Sequence, residues 1–167
     1  MKKHSEATKR KLPKKASTHR AKVTIRKMRT GVRGLDDILG GGIPEFSFNV
    51  IAGTPGCGKT TLAHQIVFAN ATARKPALFF TVLGESAIKM LRYQQQYSFF
   101  DESKLGNAVR FINLADAVLN QDLNAVFDEI TKRVTAINPG IVVVDSFRTV
   151  VRTATGGASE IKMQSFI

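Results

Sequence analysis

The chain has 167 residues, enough for one domain with a substantial core, and a formal net charge of +12. It contains no run of 18 apolar residues, which excludes a membrane-spanning helix, and its single cysteine, Cys57, excludes an internal disulfide. A lone thiol fits a reducing compartment, so we expect a cytoplasmic protein.

The positive charge is concentrated at the start of the chain. Residues 1–29 hold twelve Lys or Arg against one acid and so carry +11 of the net charge, with almost no apolar residue before Val23. Such a segment buries too little surface to offset its ordering entropy, and we predict a disordered tail. Its charge would suit nucleic acid, an acidic partner or a membrane surface, but a basic segment alone does not specify a ligand, so a solvated extension is the favoured interpretation. We therefore divide the chain into a basic tail, 1–29, and a body, 30–167.

The body alternates between strand and helix patterns. A short helix is expected within residues 30–39, before a glycine-rich turn at 40–44. Continuous apolar runs predict buried strands at residues 46–52, 77–83, 109–113 and 141–144. Helical periodicity predicts helices at residues 60–72, 86–99 and 120–137. This alternation is typical of an α/β fold with a mostly parallel central sheet and helices on both faces.

One motif lies between the first of these strands and the helix after it. Gly53-Thr54-Pro55-Gly56-Cys57-Gly58-Lys59-Thr60 is a complete G-x-x-x-x-G-K-T sequence. Its glycines let the backbone curl so that main-chain N–H groups point at phosphates, while Lys59 reaches the β- and γ-phosphates and Thr60 ligates Mg²⁺. A turn that merely joins a strand to a helix would not need all these residues in register. The sequence therefore predicts a phosphate-binding loop at a helix N-terminus.

Two carboxylates are candidates for the remaining chemistry. Asp145 closes the last predicted strand, at the edge of a parallel sheet where ligands bind, and there it can complete a Mg²⁺ site opposite Thr60. A strand-end Asp that caps the next turn is the simpler alternative. Glu85 follows the second strand and can orient and deprotonate an attacking water, or it can serve only as a favourable charge at the start of a helix.

Three other polar side chains are weaker candidates. Arg148 and Arg152 follow Asp145 and can contact phosphates or a neighbouring subunit, but arginine alone is a weak signal and surface positions are the favoured interpretation. His64 falls on the helix after the loop without a recognisable nucleophile or acid partner, so we expect a packed or surface residue.

The start of the body resembles the N-terminal part of a RecA-superfamily ATPase domain. The residues that carry the resemblance are Thr30-Gly31 and Gly34-Leu35-Asp36-Asp37-Ile38-Leu39-Gly40-Gly41-Gly42-Ile43-Pro44, followed by the phosphate-binding loop. It looks most like the KaiC/RadA branch, and KaiC-like proteins in particular. The resemblance covers residues 30–167 and implies a three-layer RecA-like fold. It also implies that the loop residues through Thr61 bind ATP, that Lys59 and Glu85 are catalytic, and that Asp145 is the Walker B acid for Mg²⁺.

The same resemblance implies ring or filament homo-oligomers with ATP at subunit boundaries, and autokinase activity in some members. Three departures stand beside it. Gly84-Glu85 replaces a pair of adjacent acids, Glu45-Phe46 stands where a glycine is usual, and the chain stops at Ile167 before a basic finger is reached. We therefore expect a truncated domain with weak turnover. Two alternatives remain: a RadA- or RecA-type protein that binds DNA under ATP control, and a nucleotide-gated scaffold with little turnover.

Overall fold

A computed structural model describes residues 24–81, 87–115 and 123–146. Their elements, in chain order, are β1 (Lys27–Met28), α1 (Leu35–Ile38), β2 (Ile43–Pro44), α2 (Lys59–Asn70), β3 (Ala77–Thr81), α3 (Ala87–Gln94), β4 (Val109–Asn113), α4 (Leu123–Ile137) and β5 (Ile141–Asp145), with a 3₁₀ turn at Glu102–Lys104. None of the helices in this part of the chain combines the length and apolar character that crossing a membrane requires.

The central sheet is parallel and has β3 in its middle. Its order is β4-β3-β5, and β3 pairs with both neighbours over all five of its residues. Every residue of β3 is buried, as expected for a strand covered on both faces. Because parallel strands end at one edge, Asn113, Thr81 and Asp145 lie side by side there, in register.

Two helices cover the two faces of the sheet. Because strand side chains alternate, Ala77 and Phe79 pack against α2, and Leu78 and Phe80 pack against α4. The α2 side also buries Ala63, Val67, Phe68 and Val109, and the α4 side buries Val126 and Ile130. The predicted α/β fold, three layers deep with a parallel sheet, is therefore confirmed.

The prediction of a strand at residues 46–52 is wrong. This segment has no regular secondary structure and its side chains are exposed, including Phe48 and Val50. A strand requires a neighbour that accepts and donates its main-chain hydrogen bonds, and no described segment pairs with this one. Phe46, at the start of the segment, adopts φ +57°, a left-handed conformation unusual for a bulky residue.

The segment before the body is attached to α2, although part of it falls within the predicted tail. β1 pairs antiparallel with β2, Asn70 donates to the Arg29 carbonyl at 2.6 Å, and Gln65 donates to the Gly31 carbonyl at 2.7 Å. A Cβ on Gly31 would lie 2.7 Å from the Ala69 Cβ, so only glycine permits this approach. Residues 26–29 are therefore hydrogen-bonded to the body, and the expectation of disorder for residues 1–23 lies outside the described residues.

Most of the other predicted elements are found with small shifts at their ends. The strand predicted at residues 109–113 is found with those bounds. The helix predicted at 86–99 ends earlier, at Gln94, because residues 95–99 form turns. The N-terminal part of the helix predicted at 120–137 lies outside the described residues, and α4 continues to Ile137 as predicted.

Candidate functional site

The phosphate-binding motif forms an exposed loop directly before α2. Gly56 and Gly58 have φ values of +78° and +91°, which glycine adopts without strain. Gly58 is the N-cap of α2, so the first turn of this helix opens onto the loop. A cavity of about 230 Å³ lies there, lined by Gly56, Gly58, Lys59, Thr60 and Thr61. Main-chain N–H groups at a helix N-terminus and a nearby ammonium suit an anionic ligand.

Lys59 directs its ammonium group back into the loop. Its Nζ donates to the Gly53 carbonyl at 3.0 Å and to the Thr54 carbonyl at 2.8 Å, and it lies 3.8 Å from the Cys57 Sγ. The loop is closed further by the Cys57 N–H, which donates to Thr54. The positive charge of Lys59 is therefore held against the loop in which the sequence predicts phosphate binding.

Thr60 and Asp145 come together although 85 positions separate them in the sequence. The Thr60 Oγ1 donates to the Asp145 Oδ2 at 2.6 Å. The first turn of α2 supplies the hydroxyl, and the C-terminal end of β5 supplies the carboxylate. The structure thus places the predicted strand-end acid beside the loop rather than at another edge of the sheet.

This pair of oxygen ligands fits a hydrated Mg²⁺ ion. No three His, Cys, Asp or Glu side chains gather into a metal site within residues 24–81, 87–115 and 123–146. Mg²⁺ usually keeps several waters and takes phosphate oxygens together with one or two protein ligands, so a larger cluster is not required. The Thr60 hydroxyl and the Asp145 carboxylate are two oxygen groups of this kind, so the residues present fit the ion.

The other candidate residues fare differently. Glu85, Arg148 and Arg152 lie outside the described residues, although β3 ends at Thr81 beside Asp145, four positions before Glu85. His64 is fully buried and packs on Phe79, with ring centroids 4.3 Å apart, as the packed alternative predicts. Burial lowers the pKa of His64 to about 4, although the nearby Asp145 carboxylate and Gln94 act in the opposite direction. His64 is therefore neutral at physiological pH.

Sequence reasoning overlooked Thr81, which lies beside Asp145 at the end of the sheet, and Asn113, which lies on the other side of Thr81. Thr81 is buried, and the Asn113 Oδ1 accepts from the Ala115 N–H at 2.9 Å. Each is the polar residue that ends an apolar strand. That signal is present in the sequence but gains meaning only once the strand order is known.

Comparisons with known proteins agree with this geometry. The family model described as "ATPase: KaiC" matches residues 28–163. The DNA repair protein RadA of Mycobacterium tuberculosis is 32% identical over 137 residues, which is 80% of this chain and 26% of that protein. A UPF0273 protein of Methanopyrus kandleri is 35% identical over 60 residues, covering 36% of this chain and 24% of the relative.

A solved structure supports the same assignment. The KaiC-like protein of the hyperthermophilic archaeon Pyrococcus horikoshii OT3 superposes with a TM-score of 0.62 at 25% identity, covering 77% of this chain and 57% of that one. The present chain thus spans about a quarter of the RadA length. The matched family model, the RadA relatives and the loop with its Thr60–Asp145 pair lead to one conclusion: the chain belongs to the KaiC ATPase family, in the KaiC/RadA branch of the RecA superfamily.

Proposed function

We propose that this chain binds Mg-ATP at residues 53–61 and hydrolyses it. The observation that carries the proposal is the 2.6 Å contact between Thr60 and Asp145, next to a loop that already holds the Lys59 ammonium. Main-chain N–H groups of the loop and Lys59 bind the β- and γ-phosphates and offset the charge that develops during phosphoryl transfer. A loop that merely joined two elements would not need a half-buried acid from a distant strand.

The metal is assigned to the same pair. Thr60 would supply a hydroxyl oxygen, and Asp145, which accepts a hydrogen bond from that hydroxyl, would supply the negative charge that holds the ion. When bound, Mg²⁺ would neutralise part of the phosphate charge. Asp145→Asn keeps the shape of this side chain and removes its charge, so we expect it to raise the Mg²⁺ concentration needed for ATP binding about tenfold or more.

Glu85 is the proposed water-activating residue. It follows β3, whose last residue lies beside Asp145, so the intervening short segment begins at the edge of the sheet that carries the loop. A carboxylate there accepts a proton from the attacking water. Glu85→Gln should keep nucleotide affinity and lower single-turnover hydrolysis about a hundredfold, within the usual contribution of a general base.

The first experiment measures nucleotide binding by a fluorescent ATP analogue. Lys59→Ala should abolish binding, while Lys132→Ala, an exposed lysine on α4 on the opposite face of the sheet, is the matched control for lost charge. Equal affinity in the wild type and in Lys59→Ala would overturn the loop assignment. A chain that binds ATP but hydrolyses none, with or without Glu85→Gln, would favour the nucleotide-gated scaffold.

ATP is proposed to lie at a boundary between copies of this chain, as the family resemblance implies. The described loop is exposed on its outer side, which leaves room for a neighbour's cationic group to complete the site. ATP-dependent assembly, measured by light scattering with wild type and Lys59→Ala, tests this. Incubation with γ-labelled ATP tests autokinase activity in the same samples.

We also propose that the protein is cytoplasmic, because its single cysteine, Cys57, would stay reduced there.

A second candidate function is ATP-controlled DNA binding of the RadA type. The relatives named as DNA repair proteins and the +11 charge of residues 1–29 favour it. Deletion should remove only residues 1–23, because β1 packs on the body. Salt-sensitive DNA binding that disappears with this deletion assigns it to the tail, whereas ATP-dependent binding by the shortened chain assigns it to the body.

A further inference from the structure

The segment between β2 and the phosphate-binding loop pairs with no other part of the described chain. Pairing between β1 and β2 extends as far as Glu45, whose N–H donates to the Arg26 carbonyl at 2.8 Å. Phe46 then takes a left-handed conformation, and from there to Ala52 no main-chain group bonds to another strand among the described residues. Unpaired main-chain groups in a strand-forming sequence are a template for a further strand.

The side chains of this segment are apolar and open to solvent. Phe48 is 68% exposed, Val50 is 74% exposed and Ile51 is 40% exposed. In an extended chain Phe48 and Val50 share one face, while Ser47 and Asn49 share the other. The segment therefore has the alternation of a half-buried strand but lacks the contact that would bury it.

The pattern is complementary to itself when two copies run antiparallel. With Asn49 on the two-fold axis, Phe48 of each copy lies opposite Val50 of the other, and the two Asn49 amides face each other. Aromatic and β-branched side chains form favourable cross-strand pairs. A two-fold contact requires one patch that matches itself, and this segment meets that requirement.

Charge and area also favour a second copy as the partner. The chain carries a net charge of +12, but residues 46–58 contain no charged side chain and all of them are exposed. Two copies can therefore meet here without bringing their lysines and arginines together. Taking about 200 Å² for an exposed aromatic side chain, the apolar side chains of residues 47–51 in two copies would bury roughly 600 Å². This area is typical of a weak, transient interface, which salt should not weaken.

We propose that residues 47–51 form a strand by pairing antiparallel with the same residues of a second copy of this chain. The left-handed conformation of Phe46 ends the strand, so the Phe46 side chain lies outside the contact. The contact uses no nucleotide and does not rest on the proposed ATP hydrolysis. It orders the chain immediately before Gly53, whose carbonyl accepts a hydrogen bond from Lys59.

Sedimentation equilibrium without nucleotide, over a wide range of protein concentration, measures the association. Phe48→Glu and Val50→Glu place a charge on the apolar face, and each should weaken the dimer at least about tenfold. Tyr93→Glu is the matched control and should leave the dimer unchanged, because Tyr93 is 59% exposed but lies on α3. Thermal melts followed by circular dichroism check that each variant is folded, since none of the three replaces a buried side chain.

A disulfide crosslink tests the register. Residues directly opposite each other in an antiparallel pair have Cα atoms about 4.5–5.5 Å apart, within reach of a disulfide. Asn49→Cys, combined with Cys57→Ser, should therefore give a covalent dimer on mild oxidation. Ser47→Cys with Cys57→Ser should not, because the two copies of residue 47 would lie about 13 Å apart along the strands.

The outcomes separate this contact from the nucleotide site. Lys59→Ala should dimerise as the wild type does, so the proposed function and this inference can fail independently. An association that requires Mg-ATP, or that survives Phe48→Glu, would refute the inference. A chain that stays monomeric at every concentration would also refute it and would leave the segment to a different polypeptide. Equal crosslinking at residues 47 and 49 would refute the antiparallel register and the inference with it.

Discussion

Acid should destabilise this protein through His64, and the size of the effect follows from its burial. The ordinary pKa of a histidine in an unfolded chain is about 6.5, and burial lowers the pKa of His64 to about 4 in the folded protein. Protonation therefore favours the unfolded state. The stability associated with the neutral ring is complete above the unfolded pKa and is lost as the pH falls from about 6.5 towards about 4.

The magnitude can be worked out for two convenient pH values. For pKa values of about 6.5 and 4, the contribution of His64 to the free energy of unfolding falls by about 2 kcal/mol between pH 7 and pH 5. His64→Leu has no ring to protonate, and it should be at least as stable as wild type at pH 7, since it also removes two buried nitrogens that find no hydrogen-bond partner among the described residues. Its free energy of unfolding should therefore decline less steeply with acid than that of wild type.

Urea unfolding of both proteins at pH 7, 6 and 5 measures this difference directly. Aspartate and glutamate side chains also make both proteins sensitive to acid, but their contribution to the free energy of unfolding cancels in the comparison. The Asp145 charge partly supports the protonated ring, so Asp145→Asn should make wild-type His64 still harder to protonate. Parallel stability profiles for wild type and His64→Leu, or an NMR titration midpoint near 6.5, would refute the reasoning.

Three further predictions test the loop, the turn before it and the core. Gly53→Ala should weaken ATP binding at least about tenfold, because the added Cβ would lie 2.5 Å from the Cys57 Sγ. In a titration with the fluorescent ATP analogue, the double variant with Cys57→Ala should recover much of the affinity. Phe46→Gly should raise the melting temperature by about 2–4 °C. Glycine removes the strain of the left-handed conformation at φ +57°, which outweighs the extra entropy of the unfolded chain by about 1 kcal/mol, and the exposed Phe46 side chain makes no buried contact that would be lost. An unchanged melting temperature in calorimetry would contradict this. Leu78→Ala should cost about 3 kcal/mol in urea unfolding because the side chain is wholly buried, while Val142→Ala, 42% exposed on β5, should cost less than about 1 kcal/mol; similar losses would refute the assigned core.

The sequence was most informative where chemistry depends on local spacing. Gly58, Lys59 and Thr60 belong to one loop and one helix turn, so their arrangement follows from neighbouring residues. The position of Asp145 was predictable for a different reason: the carboxyl ends of parallel strands meet at one edge, whatever the length of chain between them.

The errors arose where structure depends on distant partners. Residues 46–52 have the composition of a buried strand, but strand formation needs a neighbour that a local pattern cannot supply. The same limit applies to Lys27 and Met28, which were grouped with the tail by charge yet pair with Ile43 and Pro44. Asn113 and Thr81 were overlooked because their proximity to Asp145 depends on strand order.

The attachment of residues 29–31 to α2 has a mechanical consequence. Asn70 and Gln65 hold this segment from the same helix whose first residue is Lys59. A 12-residue helix is a rod about 18 Å long that tilts or shifts as a unit. If nucleotide binding moves the N-terminal end of this helix, the point where the basic tail joins the body moves with it. A spectroscopic label placed at Arg26 would then detect nucleotide binding at the opposite end of α2.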